Sequence, residues 1–268
     1  MFSSILIANR GEIAVRIAAT ARAMGVRTVA VFSEHDAGAL HVEVADQAYE
    51  IDDYLNAQAI IEVALVSGAE AVHPGYGFLS ENAAFAAAVE AAGLVFIGPP
   101  VSAIDAMGSK VRARRIMEAA GVAVVPGYHG AKQDLATLKS AAMKIGYPVM
   151  IKASAGGGGR GMRIVNSAAE LEAAIGSAKR EAKAAFADAT LLIEKCVVGP
   201  RHVEVQVFAD SFGNSVSLSE RDCSIQRRHQ KVMEEAPAPG LSLALREDLS
   251  TAALAAADAI GYVGAGTV

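Results

Sequence analysis

The sequence predicts an α/β protein in which a parallel sheet flanked by helices is followed by a second, largely antiparallel unit. Three observations lead to this fold class. Strand-like and helix-like segments alternate through about residue 100, a strand–glycine–strand segment follows at residues 147–165, and polar and apolar residues alternate strictly at residues 201–207. Alternating strands and helices are typical of a parallel sheet with helices on both faces, whereas period-two alternation indicates a strand with one apolar face.

In the first hundred residues, helix caps mark where the helices between the strands begin. Asn56 and Ser80 precede helical segments and are predicted to be their N-caps, because a short polar side chain can accept a hydrogen bond from the first turn. The carboxyl ends of parallel strands form the edge where such sheets usually bind ligands. Residues 9–12 and 73–81 follow two predicted strands, so we expect both segments at that edge.

The remainder of the chain is predicted to begin near residue 108 with two short helices around a Gly-Ser-Lys segment. A long helix later in the chain is expected to start with a capping box formed by Ser167 and Glu170. We therefore predict a Rossmann-like domain, a helical connection, a lid subdomain and the start of a further subdomain, at residues 1–108, 109–130, 131–203 and 204–268.

Composition excludes several classes of protein. The 268 residues carry a net charge of −5, which argues against nucleic-acid binding through bulk charge. No apolar run reaches the length of a membrane span, and the first residues do not have the pattern of a signal peptide. The two cysteines, Cys196 and Cys223, form no C-x-x-C pair, so we expect a reducing, cytoplasmic location.

The most informative segment is the glycine-rich run that follows Lys152. Residues 156–159 are four consecutive glycines, and Arg160 and Gly161 come next. A strand rather than a helix is predicted at residues 162–165, which excludes a dinucleotide-binding turn, and no Gly-Lys-Ser/Thr sequence is present for a P-loop. What remains is a glycine-rich hairpin that folds over phosphates as a lid, or else a plain flexible hairpin.

Several polar residues at predicted strand or helix ends are candidates for binding a nucleotide. Lys152 ends an apolar strand directly before the glycines and could reach phosphates, or it could be an ordinary edge lysine. Lys110 precedes a helix, and it could equally be a solvated surface charge or a ligand of a phosphate. Glu194 ends another strand and suits an adenine or ribose contact, with an edge-strand salt bridge as the alternative.

A second group of polar residues lies in the antiparallel unit. His202, Glu204 and Gln206 share one face of a predicted strand, which is most often simply exposed to solvent. The segment at residues 220–231 is the most polar of the chain and ends in four actual or potential cations: Arg227, Arg228, His229 and Lys231. Together with Gln226, they predict either a surface basic patch or a site for a small planar oxyanion.

The sequence contains no evident metal site. No histidines and cysteines have the spacing of metal ligands. Glu234 and Glu235 could bind Mg²⁺, but neighbouring residues of a strand point to opposite faces. We therefore predict no metal ligand within these residues.

Taken together, these segments resemble the biotin carboxylase domain of biotin-dependent acyl-CoA carboxylases, an ATP-grasp family. The resemblance covers the whole chain and is carried by five stretches in the family's order: residues 7–14, 73–82, 152–162, 200–204 and 220–239. The segments at residues 107–110, 126–130 and 153–156 are most similar to the alpha subunits of methylcrotonyl-CoA carboxylases. The implied fold is a Rossmann-like domain followed by an ATP-grasp domain with a glycine-rich lid.

The resemblance also implies roles for individual residues. Four residues are implied to contact or cover the phosphates of ATP: Lys110, Lys152, Gly158 and Gly159. Four consecutive residues are implied to bind adenine: Glu194, Lys195, Cys196 and Val197. His202 would bind the ribose, His229 would line the nucleotide site, and Lys231 would hold bicarbonate, which makes Lys231 and His202 the implied catalytic residues. Three residues are implied to lie near biotin: Tyr76, His202 and Gln226.

The implied reaction is the ATP-dependent carboxylation of biotin by bicarbonate through carboxyphosphate. Its implied partners are a biotin carboxyl carrier protein or domain, a carboxyltransferase subunit and a second copy of the carboxylase domain. The family's pattern continues beyond residue 268 and includes the Mg²⁺ ligands there, so we expect an N-terminal portion with a truncated ATP-grasp domain. Another ATP-grasp ligase, or a non-catalytic nucleotide-binding or assembly module, are the alternatives.

Overall fold

The computed structural model describes residues 1–154, 162–227 and 230–268. The strands are β1 (Ser4–Ile7), β2 (Arg27–Phe32), β3 (Gln47–Glu50), β4 (Ala71–His73), β5 (Val95–Phe96), β6 (Gly127–Tyr128), β7 (Val149–Ala153), β8 (Arg163–Val165), β9 (Leu191–Lys195), β10 (Val203–Ala209), β11 (Ser215–Arg227), β12 (Gln230–Glu235) and β13 (Gly264–Thr267). The α-helices are α1 (Gly11–Ala23), α2 (Leu40–Val44), α3 (Ala57–Ser67), α4 (Ala83–Ala91), α5 (Val101–Gly108), α6 (Lys110–Ala119), α7 (Leu135–Ile145), α8 (Ala168–Phe186) and α9 (Leu243–Ala259).

The chain divides into two compact units. Unit 1 contains Met1–Gly108 together with Ala209–Asn214 and Ile260–Ala265. Unit 2 contains the remaining residues: Ser109–Phe208, Ser215–Ala259 and Gly266–Val268. Within the part of the chain that the structure describes, no helix is both long and apolar enough to cross a membrane.

Unit 1 is built on a five-stranded parallel sheet with the order β3-β2-β1-β4-β5. Its central strand is apolar on both faces. Leu6 belongs to the core that includes Ile60 of α3 and Phe85 of α4, whereas Ile5 and Ile7 belong to the core that includes residues of α1. A strand buried on both faces is typical of a parallel sheet, so the predicted parallel-sheet domain is confirmed.

One of the two predicted caps in unit 1 is correct. Asn56 accepts a hydrogen bond from the Ala59 amide at 3.1 Å, which starts α3 as expected. The prediction of Ser80 as the cap of α4 is wrong. Ser80 still lies in the preceding turn, and the helix is capped by Asn82, whose side chain accepts a hydrogen bond from the Phe85 amide at 3.0 Å.

The capping box predicted at the start of α8 is not formed, although Ser167 is the N-cap residue and Glu170 folds back to the start of the helix. Glu170 accepts a hydrogen bond from the Asn166 amide at 3.1 Å. The Ser167 hydroxyl donates to the Glu170 carboxylate at 3.2 Å and makes no cap hydrogen bond to the backbone. The carboxylate therefore takes both donors, because an ionised oxygen is a stronger acceptor than a neutral one.

At the carboxyl edge of the unit 1 sheet, Asn9 fastens the loop that follows β4. Asn9 is 2% exposed, and its amide nitrogen donates to the carbonyl oxygens of Pro74 and Tyr76, each at 2.7 Å. The two segments expected at this edge are therefore hydrogen-bonded to each other. Gly75, between the two carbonyls, has a φ of +62°, and a Cβ there would lie 2.7 Å from the Asn9 amide nitrogen.

Replacing Gly75 with alanine is expected to destabilise the chain by about 2–3 kcal/mol, since the left-handed backbone strain adds to the clash with Asn9. Gly77 is the matched control, because it has a φ of +68° but a Cβ at this position would meet no atom within 4 Å. Gly77→Ala should cost only about 1 kcal/mol. Urea unfolding of both variants measures the difference, and equal losses would contradict a specific role for the Asn9 contact.

Two four-stranded sheets, with the orders β6-β9-β7-β8 and β12-β11-β10-β13, belong to unit 2 apart from the last residue of β10 and the first two residues of β13. In the first sheet, β7 buries Val149 and Ile151 in a core shared with Leu138 of α7 and Leu171 of α8. Along β7 buried and half-buried residues alternate, so Lys152 lies on the face opposite to this core. The candidate nucleotide-binding side chains of this sheet are therefore expected on the face that carries Lys152.

The second sheet of unit 2 packs against α9. Arg246 of α9 approaches Glu220 of β11 at 3.2 Å. Ser219, just before Glu220, has a φ of +66°, and the next residue in the strand, Arg221, contacts side chains of β10. Because successive side chains of a strand point to opposite faces, Glu220 is directed to the helix and Arg221 to the polar face of β10.

Candidate functional site

Lys152 and Glu194 form an ion pair on the open face of the first sheet of unit 2. In the antiparallel register Lys152 lies opposite Leu192, so Glu194, two residues further along β9, shares its face. The Lys152 ammonium donates to Glu194 Oε2 at 2.5 Å, and the two side chains are 27% and 21% exposed. The structure thus places Lys152, predicted to contact phosphates, beside Glu194, predicted to contact adenine or ribose. The same ion pair is the edge-strand salt bridge that was the alternative prediction for Glu194.

Arg114 of α6 approaches the other oxygen of the same carboxylate. Its Nη1 lies 3.5 Å from Glu194 Oε1, and its side chain is only 11% exposed. Arg114 also donates to Glu118 at 3.0 Å and to the Val125 carbonyl oxygen. Arg114 could not be selected from the sequence, because an arginine among other basic residues of a helix has no distinguishing local pattern.

The three residues after Glu194 are placed differently from one another. The Lys195 ammonium donates to the carbonyl oxygens of Gly146 and Tyr147 at 2.9 and 2.8 Å. This side chain therefore binds the backbone that directly follows α7. The Cys196 amide donates to the Pro148 carbonyl oxygen at 3.0 Å. Val197 follows the strand and is 54% exposed. An apolar exposed residue beside a strand end is compatible with an adenine contact.

Lys110 is the first residue of α6 and is exposed. The preceding Ser109 caps the helix by accepting a hydrogen bond from the Arg112 amide at 3.4 Å. Gly158, Gly159 and His229, also predicted from the sequence, lie outside the described residues.

Glu204 is the centre of a second polar cluster, on β10. It is 5% exposed and accepts hydrogen bonds from Arg221, whose Nε lies at 2.9 Å, and from the Lys231 ammonium. Arg221 also donates to Gln206 at 3.0 Å. The polar face predicted for this strand is therefore real, but at Glu204 it is buried by cations of β11 and β12 rather than exposed to solvent.

His202 and Gln226 extend this cluster towards solvent. The Gln226 amide nitrogen lies 2.6 Å from His202 Nδ1 and donates to the Cys223 carbonyl oxygen at 2.7 Å. His202 Nε2 lies 3.9 Å from Glu204, and its side chain is 46% exposed. The cluster thus joins His202, Gln226 and Lys231 of the sequence prediction and adds Glu204 and Arg221, which the sequence analysis did not select.

The charges in this cluster stabilise one another. Burial raises the pKa of Glu204, but hydrogen bonds from Lys231 and Arg221 outweigh burial, so its pKa lies below the ordinary value. The hydrogen bond to Glu204 raises the pKa of Lys231 and that of Arg221. All three groups are consequently charged near neutral pH, and burial raises the pKa of the neighbouring Cys223 thiol, which keeps it protonated.

A possible metal-ligand group in the described residues coincides with this cluster. Ligand atoms of Glu204, Cys223 and Glu234 lie within 4.8 Å of one another. Glu204 already accepts hydrogen bonds from two cations, and a thiol is not a ligand that Mg²⁺ prefers. These residues therefore do not fit Mg²⁺.

Tyr76 lies in unit 1 and is 60% exposed. Its hydroxyl donates to the Glu12 carboxylate, and this hydrogen bond raises the pKa of Tyr76. Glu12 lies in the first turn of α1, so the loop after β4 is linked to that helix as well as to Asn9.

Comparison with known families agrees with this arrangement. Residues 1–104 match the family described as "Biotin carboxylase, N-terminal domain". Residues 109–268 match the family described as "Carbamoyl-phosphate synthase L chain, ATP binding domain". The chain belongs to the biotin carboxylase family of ATP-grasp proteins. The resemblance inferred from the sequence motifs is confirmed.

Individual members of the biotin carboxylase family are similar over the whole chain. It is 59% identical to the mitochondrial methylcrotonoyl-CoA carboxylase subunit alpha of Dictyostelium discoideum, covering 99% of this chain and 39% of that protein. It is 50% identical to biotin carboxylase 1 of Bacillus subtilis, covering 100% of this chain and 61% of that protein. The chain thus spans less than two thirds of the length of these relatives.

A solved biotin carboxylase confirms the predicted fold. The biotin carboxylase domain dimer of Hydrogenobacter thermophilus 2-oxoglutarate carboxylase, in complex with MgADP, ADP and bicarbonate, superposes with a TM-score of 0.92. Its sequence identity is 48%, and the match covers 100% of this chain and 60% of that chain.

Proposed function

We propose that the chain carries the ATP- and bicarbonate-binding part of a biotin carboxylase. The complete reaction would be the ATP-dependent carboxylation of carrier-bound biotin by bicarbonate through carboxyphosphate, as the first half-reaction of an acyl-CoA carboxylase. The observation that carries this proposal is the cluster around Glu204, where Lys231 and Arg221 are held charged beside Gln226 and His202. Such a set of donors suits a small planar oxyanion.

The ion pair on the first sheet supports a nucleotide site in the same unit. Lys152 presents an ammonium at the strand end that precedes the glycine-rich segment, and Glu194 lies beside it. In the proposed site Lys152 and Lys110 bind ATP phosphates under Gly158 and Gly159, and residues 194–197 bind adenine. Phosphoryl transfer then depends on positioning and on neutralising phosphate charge, which lysines and backbone amides supply.

The remaining predicted roles belong to this proposal. His202 binds the ribose, His229 lines the nucleotide site, and Tyr76 and Gln226 lie near biotin. Mg²⁺ would neutralise phosphate charge when bound, and the resemblance places its ligands in a segment beyond residue 268. The predicted division at residues 1–108, 109–130, 131–203 and 204–268 is retained as part of the proposal.

The proposed partners are a biotin carboxyl carrier protein or domain, a carboxyltransferase subunit and a second copy of the complete carboxylase domain. The dimeric biotin carboxylase domain of the Hydrogenobacter enzyme supports the last of these. A cytoplasmic, reducing location is supported by Cys196 and Cys223, which are both free.

Bicarbonate-dependent ATP hydrolysis, measured with and without free biotin, tests the proposal. The chain should be compared with a chimera in which the remaining part of Bacillus subtilis biotin carboxylase 1 follows residue 268. We expect activity in the chimera, and we expect Lys231→Ala to abolish its bicarbonate dependence. A folded chimera whose ATP hydrolysis ignores bicarbonate would instead favour another type of ATP-grasp ligase.

A further inference from the structure

We propose that Arg114 is a positioning residue that keeps Glu194 charge-compensated when Lys152 turns from this carboxylate to a nucleotide phosphate. The inference rests on the proposed function, because it takes Lys152 as a phosphate ligand. It assigns a role to a residue of α6 that lies outside the motifs of the sequence analysis.

The geometry gives each cation its own oxygen of the carboxylate. Lys152 binds Glu194 Oε2 at 2.5 Å, whereas Arg114 lies 3.5 Å from Oε1. One cation can therefore leave without displacing the other. The Glu194 side chain is 21% exposed, so leaving it with no cation would carry a desolvation penalty that a fully exposed carboxylate does not have.

The two cations differ in how firmly they are held. Arg114 is 11% exposed and is also bound to Glu118 and to the Val125 carbonyl oxygen. Lys152 is 27% exposed, and its ammonium is carried on a flexible four-carbon stem. Lys152 is thus the partner suited to move, and Arg114 is the partner suited to stay.

Gly127 lies directly beside the contact between Arg114 and Glu194 and independently supports a role for this contact. A Cβ at Gly127 would lie 3.1 Å from Arg114 Nη1, 3.1 Å from Glu194 Cγ and 2.9 Å from the Ile193 carbonyl oxygen. A residue without a side chain at this position leaves the space in which the guanidinium and the carboxylate meet.

If Arg114 is removed, Lys152 becomes the only cation paired with Glu194 among the described residues, and it is held there more strongly. The triphosphate then competes against a tighter ion pair, whereas the nucleoside part of the ligand is unaffected. We expect Arg114→Met to weaken ATP binding about tenfold and to leave adenosine binding unchanged. Arg114→Lys, which keeps the charge, should recover part of the loss.

The experiment is calorimetric titration of the 268-residue chain with ATP and with adenosine. Arg115→Met is the matched control, because Arg115 is an exposed neighbour on the same helix, and it should leave both affinities unchanged. Acetylation of Lys152 by acetic anhydride, followed by mass spectrometry, adds a measurement without nucleotide. Labelling of Lys152 should be several-fold slower in Arg114→Met, because the ammonium stays paired with Glu194.

The outcomes separate the two proposals. Equal losses of ATP and adenosine affinity in Arg114→Met would mean that the residue only supports the local structure, and would overturn its role. Unchanged affinities together with unchanged Lys152 labelling would overturn it as well. If the chimera as well as the 268-residue chain binds neither ATP nor adenosine, the proposed nucleotide site itself is overturned.

Discussion

Glu204→Ala is expected to lower the free energy of unfolding by about 2–4 kcal/mol and to abolish bicarbonate-dependent ATP hydrolysis in the chimera. Glu204 is 5% exposed, and its removal leaves Arg221 and Lys231 without their shared counter-charge. The expected loss of unfolding free energy is no larger than that caused by breaking a fully buried ion pair. Arg221 and Lys231 are 28% and 36% exposed and can turn towards water when Glu204 is removed. Urea unfolding at neutral pH measures the stability.

The matched control is Glu234→Gln, which alters a carboxylate of the neighbouring strand. Glu234 lies 3.6 Å from Arg221 Nε and is 43% exposed, so this exposed pair should contribute at most about 1 kcal/mol. Glu204→Gln should fall between the two variants, because the amide oxygen can still accept one hydrogen bond. If Glu204→Ala were no more destabilising than Glu234→Gln, Glu204 would not be the centre of the cluster.

The burial of Glu204 also shows where prediction from the sequence stops. The alternation at residues 201–207 correctly placed His202, Glu204 and Gln206 on one face. It could not reveal that cations of two other strands cover that face, because strand pairing is determined by contacts distant in sequence.

Local signals predicted unit 1 better than unit 2. Strand–helix alternation and glycine or asparagine caps are properties of neighbouring residues, and they sufficed for the parallel sheet and for the cap at Asn56. The cap of α4 was misplaced from Asn82 to Ser80 because both residues are good caps and the intervening turn has no distinct pattern. Arg114 escaped notice because its importance comes from Glu194, eighty positions away.

Asp36→Asn is expected to lower the unfolding free energy of unit 1 by about 2–3 kcal/mol at neutral pH, with a loss that diminishes in acid. Asp36 is 7% exposed and accepts hydrogen bonds from Arg10 at 2.6 and 2.5 Å and from the Tyr54 hydroxyl at 2.7 Å. An asparagine retains the shape but replaces a bidentate, charged acceptor with a single neutral oxygen, so Arg10 loses most of its partner.

The pH dependence follows from the direction of the pKa shift. The hydrogen bond from Arg10, followed by that from Tyr54, holds the pKa of Asp36 well below its usual range. An unfolded aspartate titrates near pH 4, so below that pH the unfolded chain binds a proton that the folded chain does not. The stabilisation by Asp36 is therefore complete above about pH 5 and is lost as the pH falls through the lower, folded pKa.

Urea unfolding of the wild type and of Asp36→Asn at pH 7 and again near pH 3 tests this directly. The difference between the two proteins should shrink in acid, because the unfolded wild type gains a proton at Asp36 that favours unfolding, whereas the asparagine variant has no group to protonate there. Tyr54→Phe is the control: it removes one hydrogen bond, leaves the pair of Arg10 and Asp36 intact, and should cost about 1 kcal/mol. A difference between wild type and Asp36→Asn that is the same at both pH values would mean that the charge of Asp36 contributes nothing to unit 1, and that its carboxylate acts only through its shape.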